Sequence, residues 1–292
     1  MSERTTITQD MIKLYDDYTH LTLDRRGFMD QLSRLTGSAA AAAAVLPLIA
    51  ANSAQAAIVA PDDARLVTET VSFPGAGGSL TAYLARPANA TGKLPTVIVI
   101  HENRGLNPHI MDVTRRVAVE GFLAIGVDFL SVAGGTPANE DKAREMISAL
   151  DKAQTVQNAV AALTFLKAHP LGNGKVGAVG FCWGGGVVNQ FAVASPDLAA
   201  GVVYYGSSPD AAQVPAIKAR MLLHYAGLDE RINASVPAYE AALKAAGTRY
   251  ELFMYPNVNH AFNNDTASAR YNKEAADLAF GRTIALFKEA LG

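Results

Sequence analysis

The sequence predicts an α/β protein with one mostly parallel sheet and helices on both of its faces. Three observations predict it. From Leu66 onward, short apolar runs alternate with longer stretches of helical periodicity. After the first two runs the strand candidates are continuously apolar, as strands buried on both faces are. No repeat, low-complexity tract or long linker interrupts this part of the 292 residues, and one such domain commonly reaches that size. Strand followed by helix, repeated, gives a parallel sheet covered on both sides.

In chain order, residues 1–56 stand apart. Arg25-Arg26-Gly27-Phe28-Met29 sets two arginines before an alanine-rich run from Ala39 to Ala51, and Ala54-Gln55-Ala56 follows as a small-residue exit. Basic pair, apolar stretch and exit together read as a signal peptide of the twin-arginine type. The run is too short and alanine-rich for stable membrane insertion. The expectation is a removable extension over 1–56, the twin-arginine export machinery as a partner, a mature domain over 57–292, and a periplasmic or secreted location. The alternative is a cytoplasmic protein with an N-terminal extension.

Residues 67–73 and 80–86 alternate apolar with polar and form an antiparallel pair around Gly75-Ala76-Gly77-Gly78. Buried strands are expected at 96–100, 122–127, 176–179, 202–205, 221–225 and 250–254. Helices are expected near 110–120, 139–168, 184–194, 235–246 and 269–291. The net charge of -2 gives no basic surface for nucleic acid. The one cysteine excludes an internal disulfide.

That cysteine is the most informative residue. The strand at 176–179 runs into Gly180-Phe181-Cys182-Trp183-Gly184-Gly185-Gly186, and a helix follows. Strand, G-x-C-x-G and helix make a nucleophile elbow, in which flanking glycines admit a tight, strained turn. The sulfur then lies at a helix N-terminus, where N–H groups favour a thiolate. This is the signature of the α/β-hydrolase fold, whose catalytic partners follow in the order acid, then histidine. Asp229 and His260 satisfy that order, each just past a strand end, where catalytic groups of such sheets gather. His260 is expected to move protons and Asp229 to orient it. His20, His109, His169 and His224 are expected to be structural or disordered.

The strand at 96–100 ends in His101-Glu102-Asn103-Arg104-Gly105. The N–H groups of Trp183 and Asn103 are the expected oxyanion donors. Glu102 is an acid in an awkward place, explained either by a role or by an ion pair with Arg104. No histidine follows His101-Glu102 at helical spacing, so neither metal nor other cofactor is expected.

The loop His101–Gly105, the elbow Gly180–Gly185, Asp229 and His260-Ala261-Phe262 together resemble the dienelactone hydrolase family, over essentially residues 66–291. The resemblance implies a Cys-His-Asp triad at Cys182, His260 and Asp229, with Glu102 contacting the resting thiol. It also implies two arginines that grip a substrate carboxylate, and here the sequence departs: Asn264 and Val132 stand at those positions. The expected enzyme therefore cleaves esters or lactones of small molecules through an acyl-thioester and prefers neutral substrates. Trp183 and Phe262 would offer an apolar wall, and Arg104 and Asn264 polar contacts. The alternatives are a true dienelactone hydrolase (carboxymethylenebutenolidase) of aromatic degradation and a non-catalytic binding or sensor protein.

Overall fold

The computed structural model describes residues 7–20, 22–50 and 57–292. Eight strands form one sheet: β1 (Leu66–Gly75), β2 (Gly78–Pro87), β3 (Leu94–Ile100), β4 (Leu123–Asp128), β5 (Gly172–Phe181), β6 (Ala200–Tyr204), β7 (Arg220–Ala226) and β8 (Tyr250–Tyr255). Their order across the sheet is β1-β2-β4-β3-β5-β6-β7-β8. β1, β2 and β4 pair antiparallel, and every pairing from β4 and β3 through to β8 is parallel. Each expected strand is present, and the first two form the expected hairpin.

Helices cover both faces. On one side lie α6 (Lys152–Ala168), α7 (Trp183–Ala194) and α9 (Val236–Ala246), whose Leu163, Phe191 and Leu243 pack with Ile98, Ile125 and Val203. On the other lie α4 (Pro108–Val119) and α10 (Lys273–Leu291), whose Val113 and Phe287 pack with Val97, Val99 and Val202. Each large apolar side chain so buried contributes about 1.5–3 kcal/mol. This sandwich fixes the strand ends from which the site is built.

Two boundaries differ from expectation, and a capping residue accounts for each. The expected helix over 139–168 is two helices, α5 (Glu140–Ser148) and α6. Between them Asp151 has extended backbone, and its side chain accepts from the Gln154 N–H. A cap of this kind must leave the helical conformation, so it starts a new helix. Asn272 likewise caps α10, which begins at Lys273 instead of 269.

The N-terminal residues were expected to stand outside the fold. Instead they form α1 (Gln9–Thr19), α2 (Arg25–Thr36) and α3 (Ala39–Ile49), with a small core of Tyr15, Tyr18, Phe28, Leu32, Val45 and Ile49. Asp24 and Ser38 cap α2 and α3. This arm is seated on the α/β domain. Tyr18 Oη donates to Asp141 at 2.5 Å, Arg25 pairs with Asp141 at 2.8 Å, and Asn103 Nδ2 donates to the Thr19 carbonyl at 2.7 Å. The Arg270 guanidinium lies 5.1 Å over the Tyr15 ring. Arg25 and Arg26 thus open a folded helix, while the exit Ala54-Gln55-Ala56 lies outside the described residues. No single described helix is long and apolar enough to cross a membrane; α2 and α3 reach that length only as a pair bent by 106°.

Candidate active site

β5 hands the chain to α7 through Cys182, whose backbone sits at φ 54°, ψ -115°. A non-glycine residue at positive φ is strained, and such strain concentrates at functional turns. Its neighbours explain the glycine pattern. A Cβ on Gly180 would lie 2.1 Å from the Gly184 carbonyl oxygen, and one on Gly184 would lie 2.4 Å from that of His101. Only glycine lets the turn close this tightly against the loop after β3.

Asp229 follows β7 and His260 follows β8, as expected. His260 Nδ1 lies 2.5 Å from Asp229 Oδ2, and Asp229 Oδ1 accepts from the Ile232 N–H at 3.1 Å. Asp229 is thereby fixed, and His260 has its Nε2 buried without a partner among the described residues. The Cys182 sulfur and a ring nitrogen of His260 lie within 4.8 Å of each other. Burial opposes ionisation of all three groups, and their neighbours outweigh it. The thiol is pushed up by burial but held down at about 6 by the imidazoles of His20 and His260. His260 is driven well above its ordinary value by the charges of Asp16, Cys182 and Asp229 despite burial. Burial pushes Asp229 up, but His260, the Ile232 N–H and Arg231 together keep it below its usual range. Opposite shifts of neighbouring groups are what an acid–base pair requires.

The loop after β3 departs from expectation. Glu102 is buried, and its Oε2 accepts from Asn264 Nδ2 at 2.8 Å. It has no surface ion pair, and no hydrogen bond joins it to Cys182 among the described residues. Burial opposes its charge, but Arg104, His109 and Arg270 together keep its carboxyl below the ordinary value. Arg104 is itself buried, with Nε 3.5 Å from Glu140 Oε2. Asn264 was expected to contact substrate, yet it is fully buried, with its Oδ1 accepting from Thr266. Phe262 was expected to wall the pocket, yet it is core, packed on Tyr204, Tyr205 and Tyr255. Trp183 does line the cleft, stacked on His101 with centroids 5.2 Å apart. Its N–H opens α7, where helix geometry leaves amides without intrahelical partners. Asn103 reaches the cleft too, although its side chain is committed to Thr19.

The largest correction concerns His20. It was expected to be structural or disordered, and its Nε2 lies 3.3 Å from Cys182 Sγ. Its Nδ1 lies 2.7 Å from the Asp16 carbonyl oxygen and 3.5 Å from that residue's carboxylate. His224 fits the structural expectation, buried between Tyr255 and Thr283. His109 does too, 3.0 Å from Asp265. So does His169, which accepts from the Leu171 N–H.

The cleft above the sulfur has a volume of about 230 Å³. Besides the expected residues, Thr19, His20, Tyr205, Arg144 and Arg231 line it. Sequence reasoning missed them because they come from four separate segments. The one local signal was the Asp16–His20 pair at helical i,i+4 spacing. A ring nitrogen of each histidine and the Cys182 sulfur lie within 4.8 Å of one another, the only described donors around the thiol that a soft metal ion would accept. As it stands, the arrangement offers a nucleophilic sulfur, proton carriers beside it and helix-start amides to hold an anion.

The family model of the dienelactone hydrolase family matches residues 80–291, and one described as YqhI-like matches residues 1–39. The chain is 34% identical over 244 residues to a protein of Escherichia coli O157:H7 named "Putative carboxymethylenebutenolidase", covering 78% of this chain and 89% of that one. A Klebsiella pneumoniae structure named "Putative Dienelactone Hydrolase" is 31% identical with a TM-score of 0.70, covering 77% of this chain and 99% of that one. A dienelactone hydrolase from Anabaena variabilis shares the fold with a TM-score of 0.61 at 24% identity, over 78% of this chain and all of that one. By sequence match over most of its length, by fold and by the placement of its elbow, the chain belongs to the dienelactone hydrolase family, a family of hydrolases.

Proposed function

We propose that this hydrolase cleaves carboxylic esters or lactones of small molecules with Cys182 as nucleophile, His260 as acid–base and Asp229 as its orienter. The observation that carries the reading is the strained Cys182 at the mouth of α7 beside a histidine whose other nitrogen is tied to a buried carboxylate. Sγ attacks the acyl carbon, and the N–H groups around Trp183 stabilise the oxyanion. The ester C–O bond breaks, and the leaving alkoxide takes a proton from His260. Water, deprotonated by His260, then cleaves the thioester and releases the acid. Cys182→Ala should lower kcat/KM on an aryl acetate by roughly a thousandfold or more with the fold intact, and His260→Ala should add little to it, since such residues act as a unit. Activity of Cys182→Ala within a few fold of the wild type would sink the assignment.

A second reading, a hydrolase of carboxylate-bearing lactones, is favoured by the cleft's cations. Asn264 and Val132 supply no charge, but Arg144 and Arg231 line the cleft, and Arg144 Nη1 is buried without a partner among the described residues. A buried guanidinium suits a carboxylate. The expectation of a neutral substrate therefore gives way to a measurement: kcat/KM for a matched neutral and anionic ester, in wild type and Arg144→Ala. A preference for the anion that Arg144→Ala removes would support this second reading.

Export by the twin-arginine route also stands as a proposal, supported by Arg25-Arg26 and the alanine run. Intact mass from the native host should reveal a start near Ala57; a full-length cytoplasmic chain would refute it.

A further inference from the structure

We propose that His20, carried into the cleft by the N-terminal arm, is a catalytic residue that accepts the Cys182 proton and holds the sulfur as a thiolate, leaving His260 for the substrate oxygens. The inference rests on Cys182 being the nucleophile. Its basis is geometric. His20 Nε2 is 3.3 Å from Sγ, whereas Nε2 of His260 has no partner among the described residues. The contact between His20 Nδ1 and the Asp16 carbonyl fixes the tautomer, because a carbonyl oxygen only accepts. Nδ1 must carry hydrogen, so Nε2 meets the sulfur either as acceptor from S–H or, once charged, as donor to S⁻. One proton is shared between sulfur and ring, and the Asp16 carboxylate lies 3.5 Å from the far nitrogen of that ring.

The arm that delivers His20 is held at several separated points. Gln9 bonds Asn259 at 2.5 Å in the loop just before His260, Lys13 pairs with Glu230 beside Asp229, and Thr19 accepts from Asn103 of the oxyanion loop. The segments carrying His260, Asp229 and Asn103 thus each touch α1, and His20 just past its end reaches Cys182. Glu102, by contrast, bonds Asn264 through Oε2, and no hydrogen bond joins either of its oxygens to the thiol among the described residues. The task that the family resemblance gave to that glutamate is here taken by a histidine from another part of the chain.

The cycle balances. At rest the sulfur is S⁻ against His20 Nε2–H, and His260 carries two protons. Sγ forms a bond to the acyl carbon, the ester C–O bond breaks, and the alkoxide leaves with the His260 Nε2 proton. In the second half His260 takes a proton from water, hydroxide adds to the acyl carbon, and the C–S bond breaks. The sulfur returns as S⁻ to His20. One ester and one water give one alcohol and one acid.

Cys182 is the sole cysteine, so iodoacetamide alkylation of the full-length chain reports this thiol alone. Beyond the two histidines, the titratable and charged groups around the sulfur and its cleft are Glu102, Arg104, Arg144, Tyr205, Arg231, Asp16 and Asp229, all kept in the variants. In His20→Gln and His20→Ala the pH midpoint of alkylation should rise by a unit or more. kcat/KM at pH 7 should fall at least tenfold, with Tm near that of the wild type. Added imidazole should restore part of the His20→Ala loss. An alkylation midpoint equal to the wild type in both folded variants would overturn the proposal. So would faster alkylation at every pH with an unmoved midpoint, which would make His20 a plug. Because alkylation needs no substrate, it tests the His20–Cys182 pair even if Cys182→Ala proved active and the proposed function failed.

Discussion

At the scale of single residues, charge and burial decide what each group can do. The Cys182 thiol is held at about 6, so the reactive thiolate persists down to that pH. Above it the alkylation rate should be flat, and below it the rate should fall about tenfold per pH unit. A midpoint near 8.5 would mean that the imidazoles do not act on the sulfur. Asn264 has a different task from the one its sequence position suggested. Asn264→Ala removes the only hydrogen bond made to the buried Glu102 carboxylate among the described residues, which should cost about 1–3 kcal/mol. A Tm unchanged by Asn264→Ala would show that water satisfies Glu102 instead. The convergence of Cys182, Asp229 and His260 was legible because each follows a strand in a fixed order. The burial of Phe262 and Asn264 was not, since a residue two or four places after a catalytic histidine can face either way in a run of turns.

At the scale of elements, the elbow is the least tolerant piece of the fold. Gly184→Ala would press a methyl group against the backbone of β3 and His101, where nothing flexible can yield. Overpacking of this kind costs typically 1–3 kcal/mol, so Gly184→Ala should lower Tm by several degrees and lose activity through displacement of the sulfur. A fully active, equally stable Gly184→Ala would mean that the elbow is looser than its contacts imply. All eight strands were legible, the first two from their alternation about a glycine-rich turn and the other six from short, mainly apolar runs. The break between α5 and α6 was hidden because Asp151 caps only in the context of the turn before it. The packing of the arm was hidden for a related reason: an alanine-rich run after two arginines looks like a leader whether or not it packs. Tyr15, Tyr18 and Phe28 pack on one another to form the centre of the arm's own small core.

At the scale of the whole molecule, the arm and the export motif make competing claims on the same residues. Cleavage after Ala56 would remove His20 together with every docking contact of α1. The intact mass of the native protein therefore decides which histidines the working enzyme possesses. A mature chain starting near Ala57 should have an alkylation midpoint higher than that of the full chain, and the two forms can be compared side by side. Equal midpoints in the two forms would sever the arm from the chemistry of the thiol.

The seating of α1 over the sulfur has a thermodynamic counterpart. If docking of the arm favours the thiolate, then linkage requires the thiolate to favour docking by the same factor. Chemistry at one sulfur atom should be audible along three helices. Capping Cys182 with iodoacetamide abolishes the charge that His20 answers and adds bulk beneath it. Trypsin should then cut at Lys13, Arg25, Arg26 or Arg34 at least tenfold faster than in the untreated chain, while sites on the sheet-covering helices keep their rates. The acyl-enzyme of the proposed mechanism, which carries a neutral sulfur too, should loosen the arm in the same way during each turnover and let the alcohol out past the residues that had closed the cleft.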